Sequence, residues 1–148
     1  MLRLAASEIK MVALKSFLLL SLLMTVCFYT GVTAMVAPFS ASCVLLVMLQ
    51  KSPFTAPRTL LLAHLICLSA GLIGQSISPP TILLVGAATW VALLAMAWLR
   101  AVHAPALAHT VILCLGKQDP TRYLPTAMLV VLLLAISSLV FAKLGDRG

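Results

Sequence analysis

The sequence predicts an all-α integral membrane protein built as two inverted repeats, each a long helix, a short half-helix and a long helix, so that four long spans accompany two short broken helices. Three observations carry this expectation. Hydrophobic residues make up 63% of the 148 and charged residues 9%, with a mean hydropathy of +1.18, whereas a soluble domain carries about 25% charged residues. A chain of this size leaves roughly a third of its surface outside after folding, so lipid rather than water must cover so many aliphatic side chains. The apolar residues fall into six runs of two lengths, and the two short runs resemble each other. Together these define one transmembrane domain over residues 1–148, with repeat 1 at 11–76 and repeat 2 at 80–143.

The runs cover 12–30, 37–49, 59–73, 81–99, 104–115 and 123–142. A helix needs about 20 residues, at 1.5 Å rise each, to cross roughly 30 Å of hydrocarbon. The first, third, fourth and sixth runs are therefore read as spans, while the second and fifth reach only about two thirds of the way. The basic start, the first apolar run and Val32-Thr33-Ala34 imitate a cleavable signal peptide. The length of that run and the membrane segments after it make it the first span instead. Ahead of the short runs, 32–36 and 100–103 are expected to be extended. Pro38 and Pro105 bias their predecessors away from helical backbone and suit the first helical position, so both short helices are expected to start inside the membrane.

The short runs align without gaps, Ala37-Pro38-Phe39-Ser40-Ala41-Ser42-Cys43-Val44-Leu45-Leu46 on Ala104-Pro105-Ala106-Leu107-Ala108-His109-Thr110-Val111-Ile112-Leu113. The 67-residue offset between Pro38 and Pro105 also pairs Pro53 with Pro120 and Thr59 with Thr126. Basic residues punctuate the runs rather than forming a stripe. Arg3, Lys10 and Lys15 stand at the start, Lys51 and Arg58 flank a loop, Arg100 closes a run, and Lys117, Arg122, Lys143 and Arg147 mark later ends. That spacing reads as topology signals and lipid-headgroup anchors, and it excludes nucleic acid, whose footprint needs clustered charge on one face. If each short helix completes a crossing, the N-terminus, the 51–58 loop, the Arg100 region and the C-terminus share the cytoplasmic side, and three crossings per half make the halves inverted. This places the loop of Lys117 and Arg122 outside.

A helix that starts within lipid leaves its first N–H groups unpaired and presents about half a positive charge. Unsatisfied backbone there costs several kcal/mol, so such starts need acceptors from protein, water or a solute. Two of them meeting near the midplane would bind a small anion without a buried cation. The candidate binding residues are Ser40, Ala41 and Ser42 with Ala106, Leu107, Ala108 and His109, although small residues there also serve tight helix packing. Ionisable groups inside membranes usually face an interior or a cavity. His64, His103 and Arg58 are the candidates for gating or for flanking the pathway. The alternatives are a structural hydrogen bond for His64 and a headgroup anchor for Arg58.

Enzyme chemistry finds no footing, because Glu8, Asp119 and Asp146 lie at termini or in a loop, and no nucleophile, base and orienting acid can be assembled. Cys27, Cys43, Cys67 and Cys114 stand singly without metal-ligand spacing and read as packing residues, so no metal or other cofactor is expected.

Three blocks carry a family resemblance. Ser52-Pro53-Phe54-Thr55-Ala56-Pro57-Arg58 with His64 resembles the SPxAxPR(x5)H signature of the HPP family of integral membrane proteins. The segment from Phe39 to Leu46 is similar to that family's FGASAVLL. Met96, Arg100 and His103-Ala104-Pro105-Ala106 fall where its Met, Arg and HPPA occur, and the resemblance spans residues 10–143. This sequence has Ser40 in place of the family's glycine, Ala104 within the eponymous HPP, and Leu107 and His109 where the family has Gly and Thr. The resemblance implies nitrite transport, as associated with family members of plastid and cyanobacterial membranes. The expected function is thus a transporter or channel for a small inorganic anion, nitrite-like, in contact with membrane lipid. A homo-oligomer is expected because six short segments enclose little interior. The expected location is a bacterial inner membrane, with both termini cytoplasmic. The alternative is a non-transporting membrane subunit or scaffold that packs with a partner.

Overall fold

A computed structural model describes residues 6–77, 80–116 and 118–144, all of them helix or short connection. The helices are α1 (Ala6–Tyr29), α2 (Val36–Met48), α3 (Pro57–Ser76), α4 (Ile82–Trp98), α5 (Leu107–Cys114) and α6 (Pro120–Leu144), with single 3-10 turns at Thr33–Met35, Pro53–Thr55 and Ala104–Ala106. Among the described residues three helices, α1, α3 and α6, are long and apolar enough to cross a membrane. The helix over the fourth run, α4, has 17 residues, about 26 Å at the usual rise, so it is shorter than the span expected of it. The helices of the first half have 24, 13 and 20 residues and those of the second 17, 8 and 25.

Helix ends follow from local chemistry. At the end of α1, Gly31 takes φ 72°, its N–H bonds Phe28 O at 3.1 Å, and Val32 N–H reaches Cys27 O at 3.0 Å. This is a left-handed cap of the Schellman type, with Val32 buried as its apolar contact. The same cap ends α4, where Arg100 takes φ 51° and Ala101 N–H bonds Met96 O at 2.8 Å. A non-glycine residue in this conformation costs roughly 1 kcal/mol, offset here by a cation at a helix C-terminus. Pro57 starts α3 at a position whose N–H has no helical partner. Asp119 stands just before α6, and its Oδ1 accepts from Thr121 N–H at 2.9 Å and Thr121 O–H at 2.8 Å; those bonds hold the exposed carboxyl below its usual range.

Cross-element contacts fix which ends lie together. At one end Lys15 Nζ donates to Gln50 Oε1 at 3.4 Å and sits 5.1 Å from the Phe141 ring centre. Ser138 Oγ donates to Thr55 O at 2.7 Å, and Arg58 Nη2 donates to Leu99 O at 3.5 Å. The beginning of α1, the connection before α3, the end of α4 and the late part of α6 therefore gather there. At the other end Gln75 Nε2 donates to Gln118 O at 3.1 Å, and Tyr29 and Thr30 line one groove with Arg122 and Pro125. Successive helices thus run in alternating directions.

The bundle is organised around α3, which packs on α4, α5 and α6. Two glycines let α5 approach it closely. A Cβ at Gly71 would stand 2.8 Å from Leu113 Cβ and 3.1 Å from His109 O, and one at Gly74 would collide with Cys114 Sγ. In lipid, helix association rests on such close packing and on interhelical hydrogen bonds. Thr110 Oγ1 donates to Cys67 O at 2.9 Å and Cys114 Sγ to Gly71 O at 3.8 Å. Large apolar side chains outside, among them Phe17, Phe28, Ile82, Leu83 and Trp90, are exposed. Exposed Tyr29 and Trp98 stand at opposite ends, where the aromatic belts of membrane proteins occur.

Two local expectations are corrected. Residues 33–35 form a 3-10 turn rather than an extended approach, and Pro38 is the third residue of α2 rather than its first. The cap at Gly31 reverses the chain so sharply that helical turns resume at once, and proline is accommodated because first-turn N–H groups lack helical partners anyway. In the second half His103 is extended (φ −139°, ψ 94°), with Pro105 inside the turn that leads into α5.

Candidate functional site

Three imidazoles converge where α2, α3, α5 and α6 meet. The rings of His64 and His103 lie 5.3 Å apart between centres, and those of His64 and His109 5.2 Å apart. Phe39 of α2 stacks on His64 at 5.5 Å and 16° and leans on His109 at 4.8 Å. His64 and His109 are 0% exposed and His103 1%. His64 lies two turns into α3, about 10 Å below its first residue.

Each ring is held by a defined partner. His103 Nδ1 lies 3.0 Å from Phe54 O and His64 Nδ1 2.8 Å from Leu60 O. A carbonyl only accepts, so both Nδ1 atoms carry the proton and donate. His103 Nε2 then presents a lone pair to Ser42 Oγ at 2.9 Å, and that hydroxyl also lies 3.1 Å from Pro38 O. On the far side of the cluster His109 Nδ1 is 2.7 Å from the fully buried Tyr123 Oη. The Nε2 atoms of His64 and His109 find no hydrogen-bond partner among the described residues. Buried polar atoms are almost always paired, so two such atoms in adjacent rings are the feature of this interior that most needs a reason. No group of three His, Cys, Asp or Glu among the described residues is arranged to hold a metal ion.

The motif around Pro53 explains the position of His103. Ser52 Oγ accepts from Phe54 N–H at 3.3 Å, Thr55 Oγ1 donates to Leu49 O at 2.6 Å, and Thr59 Oγ1 donates to Pro53 O at 2.7 Å. These bonds fold 52–59 into a fixed turn that points Phe54 O at His103 and Thr55 O at Ser138.

Of the residues singled out in the sequence, the structure gathers Ser42, His64, His103 and His109, with Ala106 buried in the turn ahead of α5. Ser40 is half-buried and spends its hydroxyl on Val36 O at 2.6 Å, Ala41 faces outward, and Leu107 and Ala108 are half-buried. Arg58 is exposed on the Leu99 carbonyl just after α4, away from the rings. The two short-helix starts do not face each other. The α2 start lies beside Phe28 and Tyr29 at the end of α1, while the turn before α5 packs against the middle of α2. Because α2 and α5 run in opposite directions, their amide ends point to opposite ends of the bundle. Phe39 and Tyr123 complete the cluster and were not singled out. Phe39 reads in sequence as one more apolar residue, and Tyr123 lies 14 residues from the histidine it bonds.

The fold and its buried imidazoles define the class: a compact, polytopic, all-helical integral membrane protein with a cluster of polar side chains inside an apolar core. The family model for the HPP transmembrane region matches residues 2–148, and the chain belongs to that family. No curated protein and no solved structure matches it.

Proposed function

We propose that the protein is a transporter or channel for a small inorganic anion, nitrite-like, whose path passes the imidazole cluster of His64, His103 and His109. The observation that carries this reading is the pair of fully buried, unpartnered Nε2 atoms of His64 and His109. Polar groups inside a membrane bundle are costly and mark solute or ion pathways. Membership of a membrane family whose resemblance implies nitrite transport supports the same reading. We read the two halves as inverted repeats, which the alternating helix directions favour. Both termini are then cytoplasmic by the positive-inside bias of a bacterial inner membrane. In this reading the protein is not an enzyme.

A scaffold reading draws on a different feature. Between α3 and α4 lies an apolar groove of about 550 Å³, lined by small residues such as Ala70, Gly74, Ala87, Ala88 and Ala92. Small-residue faces suit close helix packing against a partner or a second copy. Flux into proteoliposomes separates the readings. Nitrite, nitrate or halide entry above that of protein-free vesicles supports transport, and its absence with demonstrably folded protein supports the scaffold.

A further inference from the structure

The two unpartnered nitrogens are not equivalent, and their difference determines what suits them. His64 gives its Nδ1–H to Leu60 O, so its Nε2 is an acceptor. His109 has Tyr123 Oη against Nδ1, and the phenol makes no other hydrogen bond among the described residues. Donation from the phenol leaves one group unmet, the Nε2–H of His109, whereas the reverse would leave two, the phenol O–H and the Nε2 lone pair; the phenol therefore donates, and His109 Nε2–H is a donor. One acceptor and one donor, on rings 5.2 Å apart, complement a molecule that carries both an O–H and a second oxygen.

Building on the anion-transport reading, we propose that the cluster takes its small oxyanion together with one proton, as the undissociated acid. The acid's O–H meets His64 Nε2, and its second oxygen accepts from His109 Nε2–H. Proton transfer within the site is balanced: the acid's O–H bond breaks with its electron pair left on oxygen, the Nε2–H bond forms, and an imidazolium–anion pair of zero net charge results. A bare anion would confront the lone pair of His64. A bare proton would create a cation beside two other imidazoles in a low-dielectric interior. Loading the two together avoids both costs.

Among the described residues, the surroundings offer no competing charge. The titratable groups facing His64 are His109 from α5 and His103 from the connection before it. Tyr123 from α6 stands behind His109, and α2 contributes the uncharged Phe39 and Ser42. On α3 itself, Cys67 turns its thiol to Met96 Sδ at 3.9 Å.

The test titrates sodium nitrite into the purified full chain in weakly buffered detergent near neutral pH while a dye reads proton uptake. About one proton per bound nitrite is expected, as linkage requires when anion and proton bind together. His64→Gln should abolish the uptake; should that variant misfold, the wild-type stoichiometry alone decides. In proteoliposomes, nitrite entry should acidify the lumen beyond protein-free vesicles and be indifferent to an imposed membrane potential. Binding without proton uptake, flux that follows the potential, or no binding at all because water alone fills the site would each overturn the proposal. Flux in the same preparation judges the transport reading separately, since potential-driven nitrite entry would remove proton loading and leave transport standing.

Discussion

Ser42 supplies the hydroxyl that His103 Nε2 accepts, in a position with no water-exposed surface. Ser42→Ala strands that lone pair, and an unsatisfied buried acceptor costs about 1–3 kcal/mol. The variant should melt below wild type in detergent, whereas Ser40→Ala, which removes only a bond to its own helix, should stay within about 0.5 kcal/mol. Asp119 makes a prediction of opposite kind. Its carboxyl is held below the usual range by the Thr121 hydroxyl and N–H it accepts from, so the folded state binds that proton less readily than the unfolded one. Its contribution is complete above the unfolded value and disappears as pH falls through the lower folded value. Melting curves of wild type and Asp119→Ala should therefore differ at neutral pH and converge in acid. Neither role is legible from residue type. Ser42 and Ser40 occupy the same short run, and only the packed fold turns one toward His103.

At the scale of the element, glycine spacing decides how closely helices approach. Gly71 meets Leu113 and the His109 carbonyl across the α3–α5 contact, while Gly86 of α4 has nothing within 4 Å. Gly71→Ala should force these helices apart and cost about 1–3 kcal/mol. Gly86→Ala should be neutral or stabilising by up to about 1 kcal/mol, because alanine favours helix over glycine. Thermal unfolding of the two variants side by side checks the contrast. The lengths and positions of the helices were largely readable, since apolar runs between basic residues leave few other boundaries. The helix starts were harder to read. A single left-handed residue at Gly31 or Arg100 redirects the chain, and nothing in local composition announces that Arg100 adopts a conformation usually left to glycine.

For the whole molecule, alternating helix directions place the 49–58 connection and the start of α6 at opposite ends. The four native cysteines are buried, so a cysteine introduced at Lys51 or Thr121 can be labelled against a quiet background. A membrane-impermeant thiol reagent should reach Lys51→Cys and Thr121→Cys from opposite sides of sealed vesicles. Labelling of both from one side would break the crossing pattern and leave the membrane assignment intact.

The amino-acid order alone determined that the chain lives in lipid, that its second and fifth helices are short, and that it resembles the HPP family. Those properties follow from how many apolar residues stand in each run and from short contiguous motifs, which any reading along the chain detects. Only the packed structure decided that His64, His103 and His109 form one cluster and that the amide ends of the short helices point apart. The partners in that cluster are joined by contacts such as Ser42 with His103, 61 residues distant along the chain, and helix direction with close approach at Gly71 sets such contacts.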